Sequence, residues 1–293
     1  MRIIITGGSG LLGTQLVHLC LETGHQVFSA YSTHPPAIGN PVRLDLTDSR
    51  MIHDAIERIR PDVIIHAAAV TDVDLCEERP ELAYLINGEG TGKIGEEAKG
   101  VGAHVIYVST DYVFDGRTGS YREDEPPNPV NHYGRSKLLG ERLLRESCCH
   151  HCIARTSVIY GWGREHRPNF GTWVLSTLQS NRTIKAVMDQ YVSPTLNENL
   201  AEMLVNVVDM KLERVLHVAG STRIDRYNFA LKIAKTFHLD PNLVEPVKAA
   251  DMNWRAQRPA DSSLDVEKAM RLLDRKPLKL SDALERFRAG QVL

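Results

Sequence analysis

Tyr133 and Lys137 stand four residues apart in VNHYGRSKLLGE (130–141), a stretch whose composition predicts a helix. Residues four apart share a helix face. A phenol beside an ammonium is the chemistry of a proton donor whose anion is made tolerable by a nearby cation. Pairs of this spacing are also common on solvated faces, so the setting decides. VSTDYVFDG (108–116) ends an apolar run on Ser109, Thr110 and Asp111. Parallel strands deliver their carboxyl ends to a ligand crevice, which would bring these side chains near the reacting groups; plain strand-end capping is the alternative. In TGGSGLLG (6–13), glycines at 7, 10 and 13 fit G-x-x-G-x-x-G, and those at 8, 10 and 13 fit G-x-G-x-x-G. A tight turn with backbone close to a pyrophosphate and a helix N-terminus facing its charge requires such glycines.

These residues need a frame to hold them. RIIIT (2–6), HQVFSAY (25–31), DVIIHAAAV (62–70), AHVIYVST (103–110) and CIARTSVIYG (152–161) are largely apolar runs. Runs of that kind are typical of strands covered on both faces. Between them, LLGTQLVHLCLETG (11–24), MIHDAIERIRP (51–61), PELAYLINGEGTGKIGEEAKGVG (80–102) and SKLLGERLLRESC (136–148) predict helices, the third as one long helix or two shorter ones. The alternation predicts an α/β fold with a doubly wound parallel sheet. Pro126, Pro127 and Pro129 fix the chain just before the helix that carries Tyr133.

Bulk properties narrow the function classes. A net charge of −2 over 293 residues offers no basic field for nucleic acid or an anionic membrane. No stretch approaches the ~18 apolar residues of a membrane span, and the N-terminal MRIIITGGSG lacks a secretory apolar core. Five cysteines do not make a disulfide framework. A cytoplasmic protein is expected. CCHHC (148–152) places ligand types in succession, where their side chains diverge, so no zinc site is expected there. Where a strictly NAD-dependent enzyme carries an acidic residue after its second strand, this chain reads SAYSTHPP (29–36). Ser32, Thr33 and His34 would not repel a 2′-phosphate, so NADPH is favoured and NADH remains compatible.

In order, TGGSGLLG, HAAAVTDVDLCE, VSTDYVFDG, NHYGRSKLLGE, RTSVIYG, DQYVSPT and RPADSSLD resemble an extended short-chain dehydrogenase/reductase of the dTDP-4-dehydrorhamnose reductase family, over essentially the whole chain. The resemblance implies a Rossmann domain at 1–160, joined by about 196–219, and a smaller C-terminal α/β substrate domain at 161–195 and 220–293. It implies reduction of the C4 ketone of a dTDP-sugar by a catalytic triad of Thr110, Tyr133 and Lys137, with Tyr133 and Lys137 also at the cofactor, Lys137 on its nicotinamide ribose. Gly7, Gly10, Leu11 and Leu12 would meet the cofactor phosphates, Ser32 the adenosine ribose side, Asp45 and Leu46 the adenine, and Ala67, Ala68 and Ala69 the path to the nicotinamide. Thr71, Thr110, Asp111, Asn169, Gln190, Tyr191 and Arg258 would face the substrate, within a loop pattern that also includes Asp189 and Thr195. Arg258 suits a diphosphate because a guanidinium forks onto phosphate oxygens, with a rim ion pair as the alternative.

Two positions depart from the family's pattern. Val158 stands where an aromatic often faces the sugar, and Gln15 replaces one of the glutamates that hold a magnesium ion between some dimers. Glu198 fits the second such position, but the tail AGQVL offers no ligand, so no metal is expected, while a homodimer stays compatible. Two other readings share the triad: a different sugar-nucleotide ketoreductase or epimerase, and a regulatory protein similar to the β subunit of methionine adenosyltransferase. YREDEP and AQRP resemble that last branch.

Overall fold

The protein is described by a computed structural model covering residues 1–147, 150–163 and 168–292. Its first half runs β1 (Arg2–Thr6), α1 (Leu11–Glu22), β2 (Gln26–Tyr31), β3 (Asn40–Arg43), α2 (Ser49–Ile59), β4 (Val63–His66), α3 (Val73–Glu78), α4 (Pro80–Ala83), α5 (Gly90–Val101), β5 (His104–Thr110), α6 (His132–Ser147) and β6 (His151–Thr156). The second half carries β7 (Ile159–Tyr160), α7 (Phe170–Gln179), β8 (Ile184–Val187), β9 (Tyr191–Val192), β10 (Thr195–Leu196), α8 (Asn197–Asp209), β11 (Val215–His217), β12 (Ile224–Asp225), α9 (Arg226–Thr236), β13 (Val244–Val247), α10 (Glu267–Leu272) and α11 (Leu280–Ala289).

Seven strands form one sheet in the order β11-β6-β5-β4-β1-β2-β3, every pair parallel. The fold is the expected Rossmann-type α/β arrangement. Side chains alternate across it: Ile3, Ile5, Val63, Ile65, Ile106 and Val108 join one buried cluster with α1 and α8. Ile4, Ile64, Val105 and Tyr107 join another with α2 and α5. Burial on both faces explains why these strands lack polar alternation. The strand order reverses at β1, between β2 and β4, and in such sheets ligands bind beyond the carboxyl ends at that reversal. A third cluster, with Tyr160, Val174, Leu178, Phe229, Ile233, Leu284 and Phe287, lies among α7, α9 and α11.

The structure departs from the sequence reading in three places. The short edge strand β3 was not anticipated. The segment 80–102 is helical as far as Val101 but passes through a π-helical stretch, Tyr84–Glu89, between α4 and α5. The run 152–161 is two strands rather than one, because the backbone turns at Val158 with φ of +37°. A β-branched residue is strained in that region. The turn lets Thr195 reach in: its backbone N–H donates to Val158 O at 3.1 Å, and its hydroxyl donates to Ser157 O at 2.7 Å.

Candidate active site

The glycine turn joins β1 to α1. Gly7 has φ of +67°, and a Cβ there would approach the Ala68 backbone to 3.0 Å. Gly10 caps α1 without a side-chain hydrogen bond, and no acidic residue occupies the first turn. The leading backbone N–H groups are therefore left for an anion. Beside them is a cavity of about 220 Å³ lined by Gly7, Ser32, Asp45, Leu46, Ala68 and Ala69 among others. Its β2 end presents Tyr31, Ser32 and Thr33, with no carboxylate to repel a 2′-phosphate. Asp45 is held below its usual carboxylate range, chiefly by the Thr47 backbone N–H. Leu11 and Leu12 open α1, with Leu12 buried in the core, and Ala67 packs on the same core. These residues fit a dinucleotide.

Gly13 tests that geometry. A Cβ there would sit 2.0 Å from Gly7 O and 2.7 Å from Gly8 Cα, so the turn must open to admit it. Gly13→Ala is expected to weaken NADPH binding by at least about tenfold, because the backbone donors lose their aim. Quenching of tryptophan fluorescence on NADPH addition measures it; unchanged affinity would contradict the assignment.

At the carboxyl end of β5, the Thr110 hydroxyl donates to Asp111 Oδ1 at 3.1 Å and accepts from the Tyr112 backbone N–H. Burial pushes the Tyr133 phenol above its ordinary value, while its hydrogen bond with Thr110 pulls the other way. The Tyr112 ring stands edge-on to Tyr133, centroids 5.8 Å apart. Lys137, buried one helical turn along α6, donates from Nζ to Val108 O at 2.7 Å and lies 4.1 Å over the Tyr107 ring. Desolvation lowers its pKa to about 7, against the opposing charge of Glu141. Glycine at 134 is required for α6 to pack here, since a Cβ would meet Tyr112 O at 2.1 Å.

The other expected residues are placed as follows. Asp111 is buried, and its Oδ2 accepts from Ser157 at 2.9 Å and Ser262 at 2.5 Å. Burial raises its pKa, against those hydroxyls. Gln190 is buried and donates to the Tyr112 hydroxyl at 3.1 Å. Tyr191 lies under the Arg223 guanidinium, 3.9 Å from ring centroid to charge. Asn169 caps α7, accepting from Thr172 N and donating to Gly161 O. Thr71 is exposed in the loop after β4. Asp189 accepts from Ala249 N at 2.8 Å. Arg258 Nη1 is spent on Asp74 Oδ1 at 3.0 Å and Ala256 O at 2.8 Å, so the rim ion pair is what this conformation shows. Val158 packs on the third cluster. Glu198 is partly buried, with its pKa raised by that burial, and Gln15 donates to Trp162 O at 3.4 Å. Cys152 is in the core, while Cys148 and Cys149 lie outside the described residues.

Several groups around the site had no single-residue signature. Ser157 and Ser262 lie within RTSVIYG and RPADSSLD, where nothing singles out either serine. Asn87, in the π-helical stretch, accepts from Val70 N at 2.8 Å and donates to Val70 O and Ser136 Oγ, tying the β4 loop to α6. Glu141 and Arg155 form a bidentate pair at 2.9 and 2.8 Å beneath Ser109. A glutamate four residues past Lys137, on the same helix face, was the available signal for that pair.

Comparison with known proteins adds a second line of evidence. The family described as RmlD substrate binding domain matches residues 1–291. A probable low-salt glycan biosynthesis reductase, Agl14, from Haloferax volcanii is 35% identical over 91% of this chain and 90% of its own. A dTDP-4-dehydrorhamnose reductase from Aggregatibacter actinomycetemcomitans is 32% identical over 98% of both chains. The methionine adenosyltransferase 2 subunit beta of Xenopus tropicalis is 33% identical over 87% of this chain and 79% of its own. Among solved structures, a hypothetical dTDP-4-dehydrorhamnose reductase from Sulfolobus tokodaii has a TM-score of 0.86 at 40% identity, covering 96% of this chain and 98% of that one. The dTDP-4-dehydrorhamnose reductase of Bacillus anthracis, in complex with NADP, has a TM-score of 0.90 at 31% identity, covering 99% of both.

Proposed function

Because the chain belongs to the RmlD substrate binding domain family, we propose that it reduces the C4 ketone of dTDP-4-dehydro-6-deoxy-L-mannose to give dTDP-L-rhamnose, using NADPH, with NADH able to substitute. The observation that carries this reading is that Tyr133 and the buried Lys137 stand one turn apart on α6, Lys137 donating to Val108 O near the end of β5, where the Thr110 hydroxyl bears on the phenol. Residues 1–160 with 196–219 supply the cofactor half in this reading, and 161–195 with 220–293 the sugar-nucleotide half.

The cofactor, held by Gly7, Gly10, the α1 N-terminus and the alanines after β4, supplies a hydride when bound. Thr110 hydrogen-bonds the ketone oxygen and holds it against the phenol. Tyr133 donates its phenolic proton to that oxygen as negative charge develops there. The phenolate left behind in a buried site needs a positive neighbour, and Lys137 provides it. Supplying dTDP-4-dehydrorhamnose with NADPH, then NADH, and following reduced-nicotinamide absorbance tests the reading. Cofactor consumption is expected with both, faster with NADPH. Tight NADPH binding without consumption would favour the regulatory reading, which the 33% identity to a methionine adenosyltransferase β subunit keeps in view.

A pH dependence follows from Lys137. Its folded-state pKa of about 7 lies well below the ordinary lysine value, so raising the pH through that point removes the ammonium. kcat/KM is therefore expected to fall with pH on a single titration near neutrality. A profile flat from about pH 6 to about pH 9 would contradict the charge requirement.

A further inference from the structure

Arg226 opens α9, directly after β12 (Ile224–Asp225). Its guanidinium lies 5.1 Å over the Phe170 ring, next to Asn169, and its backbone N–H donates to Gln190 O at 3.2 Å. Its charge reaches both Tyr112 and the buried Asp111. One cation thus lies beside the start of α7, Gln190 and the Tyr112–Asp111 step at the end of β5.

The neighbouring guanidiniums are already committed. Arg155 pairs with Glu141, Arg223 with Asp261 and Arg258 with Asp74. Arg226 closes no ion pair among the described residues, and its Nε is buried without a hydrogen-bond partner. A buried donor left unmade is a standing penalty, and greater when it carries charge. An anionic oxygen from a ligand would remove it. Lying 5.1 Å from a phenyl ring rather than against a carboxylate, the guanidinium has N–H groups to offer as a fork onto phosphate oxygens.

We propose that Arg226 binds the diphosphate of the sugar-nucleotide substrate, a specificity role beside that expected of Arg258; the inference rests on the reductase reading above. Its test titrates thymidine, dTMP and dTDP calorimetrically into wild type, Arg226→Lys and Arg226→Met, each with NADPH bound. Arg226→Met is expected to lose about 10- to 100-fold in dTDP affinity, and Arg226→Lys less, since it keeps the charge and loses the fork. Thymidine and NADPH binding should be unchanged, and neither variant should melt below wild type, since no ion pair is broken and Arg226→Met removes a buried unpaired donor. A variant pair that melts no lower than wild type and binds dTDP as tightly overturns the inference and leaves the reductase reading standing. Equal losses for all three ligands would make Arg226 structural and also overturn it. Wild type that binds dTDP no better than thymidine overturns both.

Discussion

Tyr133→Phe is expected to lower kcat by about 10²- to 10⁴-fold, the usual contribution of a positioned general acid, while leaving NADPH affinity within about twofold. Only the hydroxyl is lost. The ring, edge-on to Tyr112 at 5.8 Å, keeps its packing, so folding should not confound the result. Thr110 then keeps its bonds to Asp111 and to the Tyr112 backbone and can still orient a carbonyl, but no proton is delivered to the developing alkoxide. KM for the sugar nucleotide should change little, because the interaction removed is made mainly in the transition state. Wild-type turnover in this variant would take the phenol out of the mechanism.

The largest effect on stability is expected at Glu141. Its carboxylate is fully buried and accepts from Arg155 Nε and Nη2, from Ser109 at 2.7 Å and from Arg145 at 3.4 Å. Arg155 is equally buried, its charge 5.2 Å from the Phe114 ring, and its Nη1 already lacks a partner. Glu141→Ala would strand that guanidinium without a counter-charge, a loss of about 3–5 kcal/mol. Adding Arg155→Met should recover much of it, since a buried pair replaced by apolar side chains is often neutral. Denaturant unfolding of the two single variants and the double variant measures both. Glu141 also raises the Lys137 pKa. A folded Glu141→Gln variant should therefore begin to lose kcat/KM at a lower pH than wild type.

What the sequence exposes and what it hides divides along physical lines. β1, β4 and β5 were legible because strands buried on both faces must be apolar at successive positions. The glycine turn was legible because no side chain fits it: a Cβ at Gly13 would stand only 2.0 Å from Gly7 O. The Tyr133–Lys137 relation was legible because helix geometry turns spacing into adjacency. The break between β6 and β7 was not, since a valine gives no warning of a φ of +37°. The setting of Asp111 was hidden for another reason. Its partners Ser157 and Ser262 are 46 and 151 residues away, and hydroxyl residues are too common to announce a pairing. Arg258 and Asp74 are separated by 184 residues. Sequence proposed both a ligand and an ion pair for that arginine, and only folding brings the aspartate beside it. Arg226 carries no sequence signal, because an unpaired guanidinium is conspicuous only beside the pairings of its neighbours.

The central claim is that this chain delivers hydride to a sugar ketone and completes the reduction with its own phenol. The most direct measurement supplies NADPH deuterated at its transferring position together with dTDP-4-dehydrorhamnose and examines the sugar nucleotide by mass spectrometry and proton NMR. Deuterium at C4 of a dTDP-6-deoxyhexose, formed by wild type and nearly absent with Tyr133→Phe, is the expected result. Saturated binding of both ligands with no deuterium in the sugar would contradict it.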